Sequence, residues 1–392
     1  MSMLLLFALG SNGSGQLGIG HKEDVSVPKQ VVFSSEDDDQ DPVSSVSRIV
    51  AGGNHTLLIT GSGALLWSGD PASGSCGKVT TAANKEAAAA APQFRAVDLS
   101  ALVVGREGEQ QPQPPRIRLS AATWEASIIA GLDEHGLATK VYSFGSGTKG
   151  ELGLGEFIFR TPTPSAIPGF PPPGTEVVDL SACMGHVVAV LSNGEIWGWG
   201  NGRKGQLGAP DAVVNSPRKV DGINFKVVKA VCGREFTCLF GSPENGEILV
   251  LGSDKWDVKS KSPTRVPGWK EVGASWGNVY VLNGDGSLLS WGRDDHGQIA
   301  PEGLPRTKSI AVGSEHVLAL SAEGEVTAWG WGEHGNCGPL GTSKSAKGQQ
   351  NVIASSKYIP PGSKITKIGA GCATSWVAIE MPAEDPQASS ES

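Results

Sequence analysis

Three stretches of the chain fit the spacing Gly-x-Gly-x-x-Gly: Gly145/Gly147/Gly150, Gly200/Gly202/Gly205 and Gly330/Gly332/Gly335. A single such run could cradle a pyrophosphate, because glycines admit close backbone approach and a following helix N-terminus offers free N–H groups. No helical pattern follows any of them. Each leads instead into a short turn, Glu151-Leu-Gly153, Gln206-Leu-Gly208 or Asn336-Cys-Gly338. Three copies at one place in a repeat describe a loop between strands, and nucleotide binding by these loops is rejected. No Gly-x-x-x-x-Gly-Lys-Ser/Thr phosphate loop is present either.

The other reactive side chains are equally scattered. Seven His and six Cys give no His-Glu-x-x-His motif, no Cys-x-x-Cys pair and no metal-ligand spacing. There is no Gly-x-Ser-x-Gly elbow, and no Ser/His/Asp set follows from spacing. His55, His186 and His316 recur at one repeat position. They admit two readings, a brace within the fold or a contact with a partner. The expectation is a non-enzymatic protein without a cofactor or metal of its own, whose cysteines, Cys337 and Cys372 included, are free thiols in a reducing compartment.

Composition narrows the elements that position these residues. The 392 residues include 32 basic and 40 acidic ones, a net charge of −8, which counts against non-specific nucleic-acid binding. Glycine is abundant at 54, and 11 Trp argue against a disordered chain. Gly and Trp together point to many short strands joined by tight turns. Met1–Leu9 is apolar but lacks a basic flank, so Leu4–Phe7 reads as a central strand and not a signal segment or an anchor. No run of 18 apolar residues suggests a membrane span.

A unit recurs: a small-residue step, an apolar strand, a Gly turn, a second strand ending near Trp-Gly, then a Gly-rich loop. The clearest copies are Ile310–Gly330 and Leu180–Gly208. Others begin near Ile49, Ile117, Val227 and Lys270. The position after the step reads His55, Glu125, His186, Glu235, Asn278, His316 and Thr374. The seventh copy is split: Ile365–Ile379 supplies its first strand, and Leu4–Gly18 supplies the second strand and its loop. Pairing the two ends of the chain removes exposed sheet edges and closes a ring. The fold class is therefore all-β, a seven-bladed β-propeller. It spans 1–380, with 4–20 and 365–380 completing one blade, inserts at 21–48, 78–116, 156–176 and 339–364, and a disordered tail at 381–392. The fourth blade is degenerate, since Lys255-Trp256-Asp257 stands where the Gly-Gln-Leu-Gly turn belongs.

Each repeat runs from its step loop down one strand and back up the next. Step loops and Gly-rich loops must then share one face of the disc, which carries Trp124, Trp276, Trp331, Glu333, His334 and Trp376. Exposed Trp beside charge is the composition of an interaction hot spot.

The Gly-x-x-His step and the Gly-x-Asn-x-x-Gly-Gln-Leu-Gly loop resemble the regulator-of-chromosome-condensation repeat family, whose members range from guanine nucleotide exchange factors to interaction platforms. Phe7-Ala-Leu-Gly-Ser-Asn-Gly13, Gly52-Gly-Asn-His55, Gly313-Ser-Glu-His316, Trp329–Pro339 and Gly371-Cys-Ala-Thr-Ser-Trp376 are similar to its fungal alpha-tubulin-suppressor, or killer-toxin-insensitivity, group. That resemblance implies a heterodimer with a small CSL-type zinc-finger protein of the diphthamide pathway, an electron or iron carrier that would hold the zinc itself. It further implies service to Elongator-dependent wobble-uridine modification of transfer RNA and to diphthamide synthesis on translation elongation factor two, in cytoplasm and nucleus, with no direct nucleic-acid or membrane contact. The residues expected at the partner are Trp124, His186, Trp276, Glu315, His316, Trp331, Glu333, His334, Cys372 and Trp376. The alternative is a guanine nucleotide exchange factor for a Ran-like small GTPase.

Overall fold

Short apolar runs form the centre of every sheet. His186–Leu191 and His316–Ser321 are buried along their whole length, as are His55–Thr60 and Ala126–Gly131. Strands covered on both faces read as continuous apolar runs, which is why these segments lack the in–out alternation of a half-exposed sheet. The computed structural model describes residues 3–34, 43–77, 91–102, 114–339 and 350–382. Parts of the segments 21–48, 78–116 and 339–364, and residues 383–392 of the expected tail, lie outside them.

The described strands form seven antiparallel sheets. In chain order, blade one spans 46–96, blade two 117–166, blade three 177–219, blade four 229–252, blade five 269–292 and blade six 307–355. Blade seven joins the two ends of the chain. Met3–Gly10 lies between Val25–Gln30 and Thr374–Met381, with Lys364–Ala370 beyond. The closing register is uninterrupted from Met3 opposite Met381 to Gly10 opposite Thr374. Leu4–Phe7 is thus an inner strand of the closing blade, and the propeller is seven-bladed, as the split repeat requires.

Two details differ from the sequence reading. The segments read as inserts 21–48, 156–176 and 339–364 contain the outermost strands Val25–Gln30, Arg160–Ala166 and Gln350–Ser355. These strands are partly exposed and irregular, so they carry no apolar period. The repeat position also shifts by one in two blades. Ala126 opposes Gly145 and Phe236 opposes Gly252, as His55 opposes Gly69 and His316 opposes Gly330. The equivalents of His55 are therefore Ala126 and Phe236, not Glu125 and Glu235. Blades four and five have three strands each among the described residues. In the degenerate fourth blade, Lys255–Asp257 makes a short turn with Trp256 at φ +65°.

Blades are joined by their large side chains. Trp199, Trp291 and Trp329 are buried, and each indole N–H donates to a carbonyl in the loop of the preceding blade: Glu151 at 3.0 Å, Val258 at 2.8 Å and Gln298 at 3.1 Å. An indole buried without such an acceptor would lose a hydrogen bond to water.

Candidate partner-binding face

One glycine in each blade builds the face. At the end of the third strand Gly330 has φ +101°, and a Cβ there would lie 2.5 Å from the Glu315 carbonyl oxygen. Gly10 repeats this in the closing blade, 2.3 Å from the Ala373 oxygen. The next residue then donates its N–H to that carbonyl. The bond recurs in all seven blades at 2.7–3.0 Å, from Ser11 to Ala373 through Trp331 to Glu315. Only glycine takes this φ without strain while the backbones come so close. The step loop is thereby fastened to the Gly-rich loop, and both point to the same side of the disc.

The recurring histidines work beneath this face. His55, His186 and His316 are at most 1% exposed. Each meets a hydroxyl on the following blade: His55 Nε2 and Ser127 at 3.0 Å, His186 Nε2 and Thr237 at 3.0 Å, His316 Nε2 and Ser375 at 2.9 Å. Ser127 and Ser375 in turn donate to the carbonyls of Ser75 and Asn336. Their protons being spent there, His55 and His316 must donate through Nε2. Burial pushes all three imidazoles down to about 4. A Cβ at Gly52 or Gly313 would collide with the His55 or His316 ring, which accounts for the Gly-x-x-His spacing.

His186 and His316 therefore offer no surface to a partner, and the brace is the role their geometry supports. Trp376 is likewise fully buried in its strand, not on the face. Glu315 is 6% exposed and bonded from two sides. The remaining expected residues do reach the surface. Seven step-loop residues ring the mouth of the central channel: Gly53, Trp124, Met184, Arg234, Trp276, Ser314 and Cys372. Trp124, from blade two, and Trp276, from blade five, meet across that mouth with ring centroids 6.2 Å apart. Arg234 lies over Trp276 at 5.6 Å. Cys372 is half-buried on the channel wall.

Trp331, Glu333 and His334 belong to a second group over blades four to six. Arg293 lies between two indoles, 5.0 Å from the Trp256 ring and 5.7 Å from the Trp331 ring. His296 stacks on Trp331 at 4.1 Å with the planes 2° apart. Arg293 pairs with Glu315 at 2.6 Å and with Asp295 at 2.7 Å. Gln298 donates to the second Glu315 oxygen at 3.0 Å. The two carboxyls respond differently. Burial raises Glu315 against the pull of Gln298 and Arg293. Asp295 is more exposed; there, bonds from Arg293, His296 and Gln298 outweigh burial and hold it far below the usual carboxylate range. The Trp331 indole N–H donates to Glu333 at 3.0 Å, and His334 Nδ1 lies 2.9 Å from Asp24 of the closing blade. Asn336 and Cys337 face inward where Gln16-Leu17 and Gln206-Leu207 stand in two other loops, and burial pushes the Cys337 thiol up to about 12.

Trp256, Arg293, His296 and Arg234 are members of this surface that sequence reasoning missed. Trp256 stood in view as the residue interrupting the fourth repeat. Arg293 and His296 lie in a generic loop, and nothing in their own segment marks them. The result is an aromatic surface of mixed charge, and no group of three or more potential metal ligands exists among the described residues. No helix is long and apolar enough to cross a membrane.

Comparison with known proteins agrees with the fold. Residues 5–377 match the RCC1-like domain family. An RCC1 repeat-containing protein of Schizosaccharomyces pombe is 30% identical over 305 residues, covering 76% of this chain and 78% of the relative. The secretion-regulating guanine nucleotide exchange factor of Mus musculus is 26% identical over 317 residues, covering 75% of this chain and 61% of that protein. Among solved structures, Prp20p of Saccharomyces cerevisiae superposes with a TM-score of 0.75 at 20% identity, over 97% of this chain and 92% of that one. Human WBSCR16 gives 0.72 at 16% identity, over 97% and 100%. The chain belongs to the RCC1-like domain family.

Proposed function

We propose that the protein is a non-enzymatic interaction platform. It forms a heterodimer with a small CSL-type zinc-finger electron or iron carrier of the diphthamide pathway. Through that partner it supports Elongator-dependent modification of the wobble uridine in transfer RNA, and diphthamide synthesis on translation elongation factor two, in cytoplasm and nucleus. The propeller would hold and orient the carrier, whose own residues would bind its metal. The observation that carries this reading is the partly exposed group Trp256–Arg293–Trp331–His296 beside Trp276. Trp and Arg are enriched among the residues that dominate the affinity of protein interfaces, Trp for its large rigid area and Arg for its planar fork of donors. The resemblance of the quoted segments to the alpha-tubulin-suppressor group supports this choice of partner.

The test is titration of the purified chain with the purified CSL-type protein. Changing Trp331, Glu333 and His334 together to Ala should cost about 2 kcal/mol of binding or more, roughly thirtyfold in affinity, with the thermal midpoint little changed. Full affinity in that variant removes these residues from the interface. No complex at micromolar concentration removes the reading itself. The similarity to the mouse exchange factor favours a second reading, exchange on a Ran-like GTPase. Strong acceleration of labelled GDP release by the unmodified chain would select it.

A further inference from the structure

The chain carries a net charge of −8, yet its central channel ends in cations on the face opposite the tryptophans. Six of the seven innermost strands are bulged near their start. Three of the bulged positions, Arg118, Lys270 and Lys308, are exposed basic residues. One residue further in, Arg48, Lys229 and Lys367 line a cavity of about 400 Å³ that runs up to Trp124 and Trp276. Two acids counter these cations through space, Asp179 toward Arg48 and Glu271 toward Lys367. Asp179 accepts from Lys229 at 2.6 Å and from the Ala230 N–H at 3.1 Å, and Glu271 accepts from the Ile310 N–H at 2.9 Å.

Arg48 and Lys367 are left with carbonyls alone. Arg48 Nη2 donates to Leu180 at 2.9 Å and Lys367 Nζ to Ser47. Among the described residues neither meets a carboxylate. Burial, and then the neighbouring Arg48 charge, push the Lys367 ammonium below its usual value against the pull of Glu271, and burial does the same to Arg48 against that of Asp179. Two adjacent cations bonded only to carbonyls and facing one cavity favour an anion that can bond to both. A guanidinium fork beside an ammonium matches the oxygens of a phosphoryl group, and the cavity is in the size range of small-ligand sites.

We propose that the channel binds a small phosphorylated ligand, its phosphoryl oxygens held between Arg48 and Lys367 and its entry made past Lys270 and Lys308. The probes are pyrophosphate and inorganic phosphate, titrated calorimetrically into the full chain, with glutamate as a carboxylate control. Pyrophosphate should bind once per chain. The double change Arg48→Met and Lys367→Met should weaken it about tenfold or more. Changing Lys270 and Lys308 to Ala should weaken it about twofold at low salt and leave it unaltered at high salt. Inorganic phosphate binding as tightly as pyrophosphate would place free phosphate as the ligand; tighter pyrophosphate would place a phosphorylated molecule. Absence of binding at about 10 mM, undiminished binding by the double variant, or glutamate binding equally well would each overturn the proposal. Should the double variant fail to fold, Lys367→Gln alone must reduce the phosphorus line broadening of pyrophosphate; unaltered broadening overturns the assignment.

Discussion

Two layers lie within a few ångströms of each other on one side of the disc, and they obey opposite rules. The lower layer is periodic: a left-handed glycine in every blade, and an imidazole bonded to the next blade in three of them. The upper layer is not. Trp256, Arg293, His296 and Trp331 come from blades four to six alone, and their counterparts elsewhere are different residues. Repetition at a position marks the work of closing the ring, which every blade shares. Departure from repetition marks a surface that only one sector presents.

That contrast can be broken by measurement. The largest effect is expected at Gly330→Val. Its Cβ would meet the Glu315 carbonyl at 2.5 Å in a positive-φ backbone, so a loss of about 4 kcal/mol or outright failure to fold is expected in urea denaturation. A stable Val variant would show that the fastening of step loop to Gly-rich loop is dispensable. Next comes acid. The folded imidazoles at about 4 lie below the ordinary value of 6.5, so between these limits the unfolded chain binds more protons. The stability they contribute is complete above pH 6.5 and is lost as the pH falls toward 4, by about 1.4 kcal/mol per pH unit for each histidine fully inside that window. A flat profile in thermal melts from pH 7 to 5 would refute the buried-neutral assignment. Ser375→Ala should cost about 1–3 kcal/mol by leaving His316 Nε2–H unpaired, read as a shift in denaturation midpoint. The smallest effect belongs to the upper layer. Trp256 is 41% exposed, and Trp256→Ala should change stability by about 0.5 kcal/mol while weakening partner binding. A large loss of stability there would erase the distinction between the layers.

The same contrast explains what could be read from the sequence. The period, the step loop, the split blade and the shared face follow from Gly spacing and apolar runs, because those positions answer to a constraint repeated around the ring. His186 and His316, which as sequence admit a brace or a contact, and Trp376, expected on the face, all lie beneath it, because recurrence itself belongs to the buried layer. The register in blades two and four slipped because Ala126 and Phe236 fill the place of His without resembling it. Arg293 gains its meaning from Trp256 and Trp331, which precede and follow it by more than 30 residues, and no local pattern could bring the three together.

The closing blade has a further consequence during translation. Leu4–Leu9 leaves the ribosome long before Ser375–Glu380, the strand it must pair with. Throughout synthesis an apolar segment with unpaired backbone groups remains available for wrong partners, and the ring cannot lock until its last blade emerges. Folding is therefore governed by the most sequence-distant pairing in the chain, which predicts a slow final step and a need for protection of the nascent amino-terminal strand.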